Sequence, residues 1–94
     1  MRRQFPTREP VLVKTGTPPL GYLGWCESSD DGHLIVIHAG HHSRSTAIDT
    51  LAHEYAHALC FEQAPRGDAH SDEWGIRYAR VYRWAVSHRA WPRR

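Results

Sequence analysis

Apolar residues in the first half of the chain fall into three short segments that predict three strands. The segments are residues 11–15 (VLVKT), 22–27 (YLGWCE) and 33–39 (HLIVIHA), and turn-forming residues separate them. The third segment is the most apolar run in the chain, so we expect it to be the best-buried strand. Between the second and third segments, SSDDG at residues 28–32 is typical of a hairpin loop.

The spacing of apolar residues then changes to a helical period, which predicts two helices. The first covers about residues 46–62, with Thr46 and Asp49 as a weak capping box. Proline and glycine in residues 63–70 interrupt the period, and a second helix begins after the N-cap residue Ser71. The apolar positions are Ile48, Leu51, Ala52, Tyr55 and Leu59 in the first helix and Trp74, Tyr78, Val81 and Ala85 in the second. Three strands followed by two helices indicate an α+β fold.

Length and charge limit the classes of protein to which the chain can belong. Its 94 residues predict one small domain, residues 1–94, with a loose arm at 1–10 and a tail at 89–94. The net charge of +2 is too small to indicate a nucleic-acid-binding protein by itself. No segment approaches the about 20 apolar residues of a membrane span, and the N-terminal residues lack the apolar region of a secretory signal. We therefore expect a cytoplasmic protein with no membrane partner, in which Cys26 and Cys60 are reduced.

Residues 53–57 read HEYAH, a motif in which two histidines lie four residues apart. On a helix this spacing places His53 and His57 on the same side, so both imidazoles can bind one metal ion. Glu54 is rotated by about 100°, which keeps it off the ion but within reach of a water bound to that ion. Zinc lowers the pKa of such a water towards about 7, and the glutamate can take its proton. The motif therefore predicts a zinc site with a general base.

A third ligand is needed, because catalytic zinc usually has three protein ligands and one open position. The two motif histidines are expected roughly opposite the apolar face of their helix, where packing does not explain them. Cys60 lies a rise of about 10.5 Å from His53 along that helix, too far to share the ion. His70 follows a loop that can turn the chain back and directly precedes the second helix. His70 is therefore the predicted third ligand, with Trp74 one turn later packed under it.

With these residues in register, the chain resembles a known family. The stretch TLAHEYAHAL followed by HSDEW is similar to the SprT-like zinc metalloproteases, which include the Spartan-type proteases. Their pattern is H-E-x-x-H, a short loop, then His-x-x-x-Trp, and the similarity covers roughly residues 20–86. The resemblance implies a minimal zincin-like fold and one zinc ion per chain. It also implies His53, His57 and His70 as ligands, Glu54 as the general base of peptide-bond hydrolysis, and Trp74 as a supporting residue.

The resemblance also bears on partners. Members of the family often act on proteins crosslinked to DNA, so it implies a protein or peptide substrate, with DNA as a second, weaker expectation. The chain has only two cysteines, which is too few for the C-terminal zinc ribbon of many members. It is therefore similar to a minimal form of the family, and no feature of the sequence predicts its oligomeric state.

Several residues and two other functions stay open. His41 and His42 lie in the segment expected to border the cleft, and they are candidates to bind substrate or an oxyanion. A non-catalytic, zinc-stabilised module that binds protein or DNA is the main alternative, and a fourth ligand such as Asp68 or His42 would favour it. A nucleic-acid-binding protein is the third reading. It would use the arginine face of the second helix with Trp84 or Trp91, a face formed by Arg77, Arg80 and Arg83.

Overall fold

The computed structural model describes residues 3–18, 21–40, 43–63 and 70–88. Its elements are the strands β1 (Val11–Gly16), β2 (Gly24–Ser29) and β3 (Gly32–His38) and the helices α1 (Arg44–Gln63) and α2 (Asp72–His88). The predicted α+β class, with a three-stranded sheet and two helices, is confirmed.

The sheet is mixed and places β3 in its centre. The strand order is β1-β3-β2, with β1 parallel to β3 and β2 antiparallel to it. The side chains of Ile35 and Ile37 are fully buried, as expected for the most apolar strand. The hairpin is tighter than predicted, because residues 28, 29 and 32 belong to the strands and only Asp30 and Asp31 form the turn. β2 is left at the edge of the sheet.

Helix α1 lies between the sheet and α2 and carries the centre of the core. Ile35 and Ile37 of β3 pack against Leu51, Tyr55 and Leu59 of α1. From α2, Val81 joins this core cluster and Ala85 is also fully buried. Because α1 is covered on two sides, small residues such as Ala56 and Ala58 are as buried as the large ones. The helix that carries the motif is thus the most enclosed element of the fold.

The two helices begin at serine caps. In α1 the cap is Ser43, whose hydroxyl accepts the N–H of Thr46 at 3.2 Å and whose carbonyl accepts the N–H of Ala47 at 3.1 Å. The capping box predicted at Thr46 and Asp49 is therefore wrong, and the helix starts two residues earlier, at Arg44. The cap of α2 agrees with the prediction, since the Ser71 hydroxyl accepts the N–H of Trp74 at 3.3 Å.

The described part of the N-terminal arm, residues 3–10, is held by its main chain. The Phe5 carbonyl accepts the Tyr55 hydroxyl at 2.8 Å, and the Pro10 carbonyl accepts the N–H of His33 at 2.9 Å. Arg8 and Glu9 donate their N–H groups to the Glu62 carboxylate at 2.6 and 3.1 Å. These hydrogen bonds connect the described part of the arm to α1 and β3. Among the described helices, none is both long and apolar enough to cross a bilayer.

Candidate metal centre

Three histidines from two parts of the chain meet at one point. His53 and His57 lie one turn apart on α1, and their ring centroids are 5.0 Å apart. His70, just before α2, places its ring centroid 5.0 Å from each of the other two. One ring nitrogen from each residue can be chosen so that all three lie within 4.8 Å of one another. The three residues predicted as ligands are therefore brought together.

The spacing of these nitrogens fits a tetrahedral metal ion. Zinc binds imidazole nitrogen at 2.0–2.1 Å, so two nitrogens on the same tetrahedral ion are about 3.3 Å apart. The Nε2 atoms of His53 and His70 are 3.2 Å apart. Three imidazoles suit zinc and several related divalent metals, and they leave a fourth position open. Within the described ranges, no cysteine or carboxylate belongs to the group, and Cys60 is outside it as predicted.

Protonation favours metal binding at this point. Burial lowers the pKa of His53, and the neighbouring His70 lowers it further. Burial likewise lowers the pKa of His57 to about 4, with smaller contributions from His53 and His70. At neutral pH these two imidazoles are neutral, which is the form that donates a lone pair to a metal.

His70 reaches the other histidines through an uncommon backbone conformation. Its φ of 63° lies in the left-handed region, which few residues other than glycine adopt, although histidine is found there more often than most. Directly after it, Ser71 caps α2 and starts the helix. The turn at His70 therefore ends the connection from α1 and presents the imidazole to His53 and His57.

A ladder of aromatic side chains from α2 supports the histidines. The indole Nε1–H of Trp74 donates to the His53 carbonyl at 3.3 Å, and its ring lies 4.6 Å from that of His70. Tyr78 stacks on Trp74 at 5.0 Å with an interplanar angle of 3°, and its hydroxyl donates to Asp49. Burial and this hydrogen bond raise the pKa of Tyr78 to about 12, so it stays protonated. Trp74 thus contacts both His53 and His70.

Glu54 lies beside the histidine cluster, under strand β2. Its Oε2 atom is 3.9 Å from Nε2 of His53, which is close to the cluster without joining it. Burial raises the pKa of Glu54 to about 7. Gly24 of β2 allows this approach, because a Cβ there would lie 3.1 Å from Oε2 of Glu54 and 2.5 Å from Cγ2 of Thr50. Sequence reasoning missed Gly24, whose role depends on a contact between distant elements.

The cluster opens into a cleft of about 400 Å³ between β2 and α1. Its lining comprises Tyr22, Gly24, Trp25, Cys26, Ser28, His53, Glu54, His57, Phe61 and His70. Glu54, the three histidines and one edge of the sheet therefore share a single concave surface.

The surroundings of the motif histidines differ from the prediction. Helix α1 is buried on most of its circumference, and His53 and His57 are half-buried under α2 rather than opposite a single apolar face. The prediction used only the large apolar residues, whereas the buried alanines and Glu54 widen the covered surface. His41 and His42, like Asp68 and Trp91, lie outside the described residues.

The arginine face of α2 is divided. Arg77 is half-buried and donates to the Gln63 side chain at 3.1 Å and to the Glu73 carbonyl at 3.0 Å. Arg80 and Arg83 are exposed. A nucleic-acid surface built on all three guanidinium groups is thus less continuous than the sequence indicated.

A second histidine–carboxylate group lies at the far end of the cleft, and sequence reasoning did not find it. His33 is bonded through Nδ1 to the Ser28 hydroxyl at 2.7 Å and through Nε2 to the Glu62 carboxylate at 2.6 Å. The antiparallel register pairs Ser28 directly with His33. A two-residue turn at Asp30 and Asp31 could have revealed this pair from the sequence. Such a turn extends both strands and places Ser28 opposite His33.

Comparison with known proteins agrees with the geometry. The model of the SprT-like family matches residues 23–90, a range that includes β2, β3, both helices and every member of the histidine cluster. No curated protein and no solved structure matches the chain significantly. Because the family match covers well over half of the 94 residues, this chain belongs to the SprT-like family.

Proposed function

We propose that this chain is a zinc-dependent metallopeptidase with Glu54 as its general base. The observation that carries the proposal is the convergence of His53, His57 and His70 beside a buried carboxyl group in an open cleft. Membership of the SprT-like family supports the same class of enzyme. His53, His57 and His70 would hold one zinc ion per chain.

The chemistry divides between the metal and the chain. When bound, zinc supplies Lewis-acid polarisation of the scissile carbonyl and makes water more acidic. Glu54 takes the proton of the attacking water and then delivers it to the nitrogen of the leaving amine. Glu54 is buried beside the three histidines, which places its carboxylate within reach of a water in the cleft. Trp74 keeps the His53 main chain in place during these steps.

The substrate we propose is an extended peptide or protein segment that lies along β2. In the described part of the sheet no strand pairs with the outer edge of β2, so its main-chain groups can bond to a peptide as an added strand. Residues of β2 line the cleft together with the metal cluster. A peptide bound in this way would cross the cluster with its main chain ordered, which favours attack at one bond.

Glu54→Gln tests the proposal directly. We expect the rate of peptide hydrolysis to fall by about 10²–10⁴-fold, the usual contribution of a general base, while the zinc content stays at one ion per chain. Peptide cleavage and metal analysis on the same preparation measure both quantities. Glu27→Gln is the matched control, because Glu27 is an exposed residue of the same cleft strand.

The two main hypotheses predict different results in this experiment. Hydrolysis that survives in Glu54→Gln would exclude Glu54 as the base. A zinc-loaded wild-type protein that cleaves no peptide would instead favour the non-catalytic zinc-stabilised module, in which the same three histidines hold the metal for stability alone.

A further inference from the structure

A chain of three hydrogen-bonded side chains runs from the cleft into the interior. The Ser28 hydroxyl, on β2, is 2.7 Å from Nδ1 of His33, and Nε2 of His33 is 2.6 Å from Oε2 of Glu62 at the end of α1. The side chains of His33 and Glu62 are 0% and 4% exposed, so water does not compete for these bonds. Ser28 is the only one of the three that lines the cleft among the residues described.

Glu62 determines which group donates and which accepts in the hydrogen bonds that link it to His33 and Ser28. Its carboxylate accepts N–H groups from Arg8 at 2.6 Å and Glu9 at 3.1 Å, besides that of His33. Burial alone would raise the pKa of Glu62, but the hydrogen bonds from His33, Arg8 and Glu9 outweigh it and lower the pKa. Glu62 is therefore ionised at neutral pH and can only accept, so Nε2 of His33 must carry a hydrogen.

The hydrogen on Nε2 of His33 also bears on the role of Ser28. In the tautomer with its only ring hydrogen on Nε2, Nδ1 is an acceptor and the Ser28 hydroxyl donates to it. The oxygen of Ser28 then has only lone pairs left for any further partner. The neighbouring Cys26 sulfur, at 3.6 Å, is a weak donor that fits beside such an oxygen. A hydroxyl that usually serves as either donor or acceptor is thus restricted to accepting from the cleft.

The distance from the metal cluster fixes which part of a substrate would meet Ser28. Gly24 lies against Glu54, and Ser28 is four residues further along the same strand, which is about 13 Å at about 3.3 Å per residue. A peptide extended along β2 covers that distance with about four residues. Phe61, which is 41% exposed, lines the same cleft and packs edge-on against His33 at 5.8 Å between ring centroids.

We propose that Ser28 is a specificity-determining residue that selects a substrate side chain with a hydrogen-bond donor, about four residues from the scissile bond. His33 and Glu62 are positioning residues, because they act only through the serine. Phe61 provides an aromatic surface for the aliphatic stem of the selected side chain, which makes lysine a suitable occupant. A carboxylate there would face only lone pairs and is rejected. The inference rests on the proposed peptidase function.

Paired peptides test the preference. Each pair carries lysine or norleucine, which has a similar stem without the donor, at one position between about three and five residues on either side of the scissile bond. At one of these positions we expect wild type to cleave the lysine peptide with a kcat/KM about 10-fold higher than that of its norleucine partner, which is the value of one hydrogen bond. The difference should lie mainly in KM. Ser28→Ala should reduce this ratio to about 1. Ser29→Ala, one residue later on the opposite face of β2, should keep it.

A spectroscopic measurement reads the hydrogen-bond direction without any hydrolysis. Nitrogen-15 NMR of the His33 ring in the whole protein should show a neutral imidazole with its hydrogen on Nε2, and Glu62→Gln should weaken that preference. A hydrogen on Nδ1 would overturn the inference. So would equal cleavage of both peptides by wild type at every position, or a preference that survives in Ser28→Ala. Cleavage without preference defeats this inference alone, whereas zinc-loaded wild type that cleaves no peptide defeats the proposed function as well.

Discussion

Two groups of histidine and glutamate lie at opposite ends of one cleft, and their differences show what makes a histidine available to a ligand. At one end, the ring nitrogens of His53, His57 and His70 point towards one another. At the other end, both nitrogens of His33 are bonded to protein groups, at 2.7 and 2.6 Å. His33 is also the more deeply buried. In this fold, histidines whose ring nitrogens converge on those of other histidines could therefore bind a metal. A histidine that is only buried, with both nitrogens bonded to protein groups, is a structural residue.

The two glutamates of these groups differ in the same way, although both are on α1. Burial raises the pKa of Glu54 to about 7. Burial acts on Glu62 too, but hydrogen bonds from His33 and from the main chain of Arg8 and Glu9 outweigh it and lower the pKa. Hydrogen-bond donors around a buried carboxyl group thus decide whether its pKa rises or falls. Substitutions in the two groups should therefore have different consequences.

Removal of one histidine from each group should give the sharpest contrast. His57→Ala and His70→Ala each remove one of the three proposed ligands, so zinc affinity should fall by at least about 100-fold, since even an outer partner of a ligand is worth about 10–100-fold. His33→Ala should keep zinc but lower the free energy of unfolding by about 3 kcal/mol, because it leaves Glu62 buried with a partner missing. Metal analysis and urea unfolding measure the two effects.

A milder substitution protects this comparison against misfolding. His33→Gln retains a polar side chain at the same place and should unfold between wild type and His33→Ala while binding zinc normally. If His70→Ala kept its full zinc content, the third ligand would be elsewhere. If either His33 variant folded and lost zinc, the two groups would not be independent.

Gly24 connects the two groups, because it starts strand β2, which also carries Ser28. A Cβ at Gly24 would lie 2.5 Å from Thr50 and 3.1 Å from Glu54, so Gly24→Ala must move β2 or α1. We expect a loss of about 1–3 kcal/mol in stability from overpacking, and about 100-fold in kcat from the displaced base. Gly75→Ala is the matched control, since nothing lies within 4 Å of its Cβ and alanine favours the helix. Equal effects of the two substitutions would contradict the close approach.

The sequence predicted the elements well because their signals are local. Strong apolar periods specify β3 and the two helices, and one turn of helix brings His53 and His57 together. Errors occurred where several neighbouring residues offer the same chemistry. Ser43, Ser45 and Thr46 can each cap a helix, and only the observed hydrogen bond selects Ser43. The hairpin loop was likewise predicted too long, because Ser28 and Gly32 suit a turn as well as a strand end.

The second histidine group could not be predicted, because it is made by tertiary contacts. His33 and Glu62 are 29 positions apart, and the main-chain donors of the arm are more than 50 positions from Glu62. No local period relates such residues. His70 is 17 positions from His53, and it was predicted because a helix cap beside it fixed where the chain must return. Long-range sites are thus readable from sequence only where a local signal marks each end.

Acid should weaken the Glu62 group. The pKa of Glu62 is lower in the folded chain than its ordinary 4.5, so its contribution to stability is complete above that pH and is lost as the pH falls through the folded value. Glu62→Gln should cost about 2 kcal/mol at pH 7, the value of a charge-assisted hydrogen bond. Its difference from wild type should shrink below about pH 4.5.

Urea unfolding of both proteins between about pH 3 and 7 measures this difference. Glu73→Gln, at an exposed position in the first turn of α2, provides a comparison in which the cost should stay small across the range. A cost of Glu62→Gln that is constant with pH would show that the carboxylate is not the ionised centre of its group.

The smallest effect should come from the support behind the metal cluster. Trp74→Phe keeps an aromatic ring beside His70 but removes the indole N–H that bonds to the His53 carbonyl at 3.3 Å. One neutral hydrogen bond is worth about 0.5–1.5 kcal/mol, so zinc affinity should fall by about 2- to 10-fold, far less than on loss of a ligand. Zinc titration against a competing chelator resolves such a change. Trp84→Phe, whose indole stacks on His88 away from the cluster, should leave the affinity as it is. An equal loss in both variants would mean that aromatic bulk in α2 holds His53 in place, and not the hydrogen bond from Trp74.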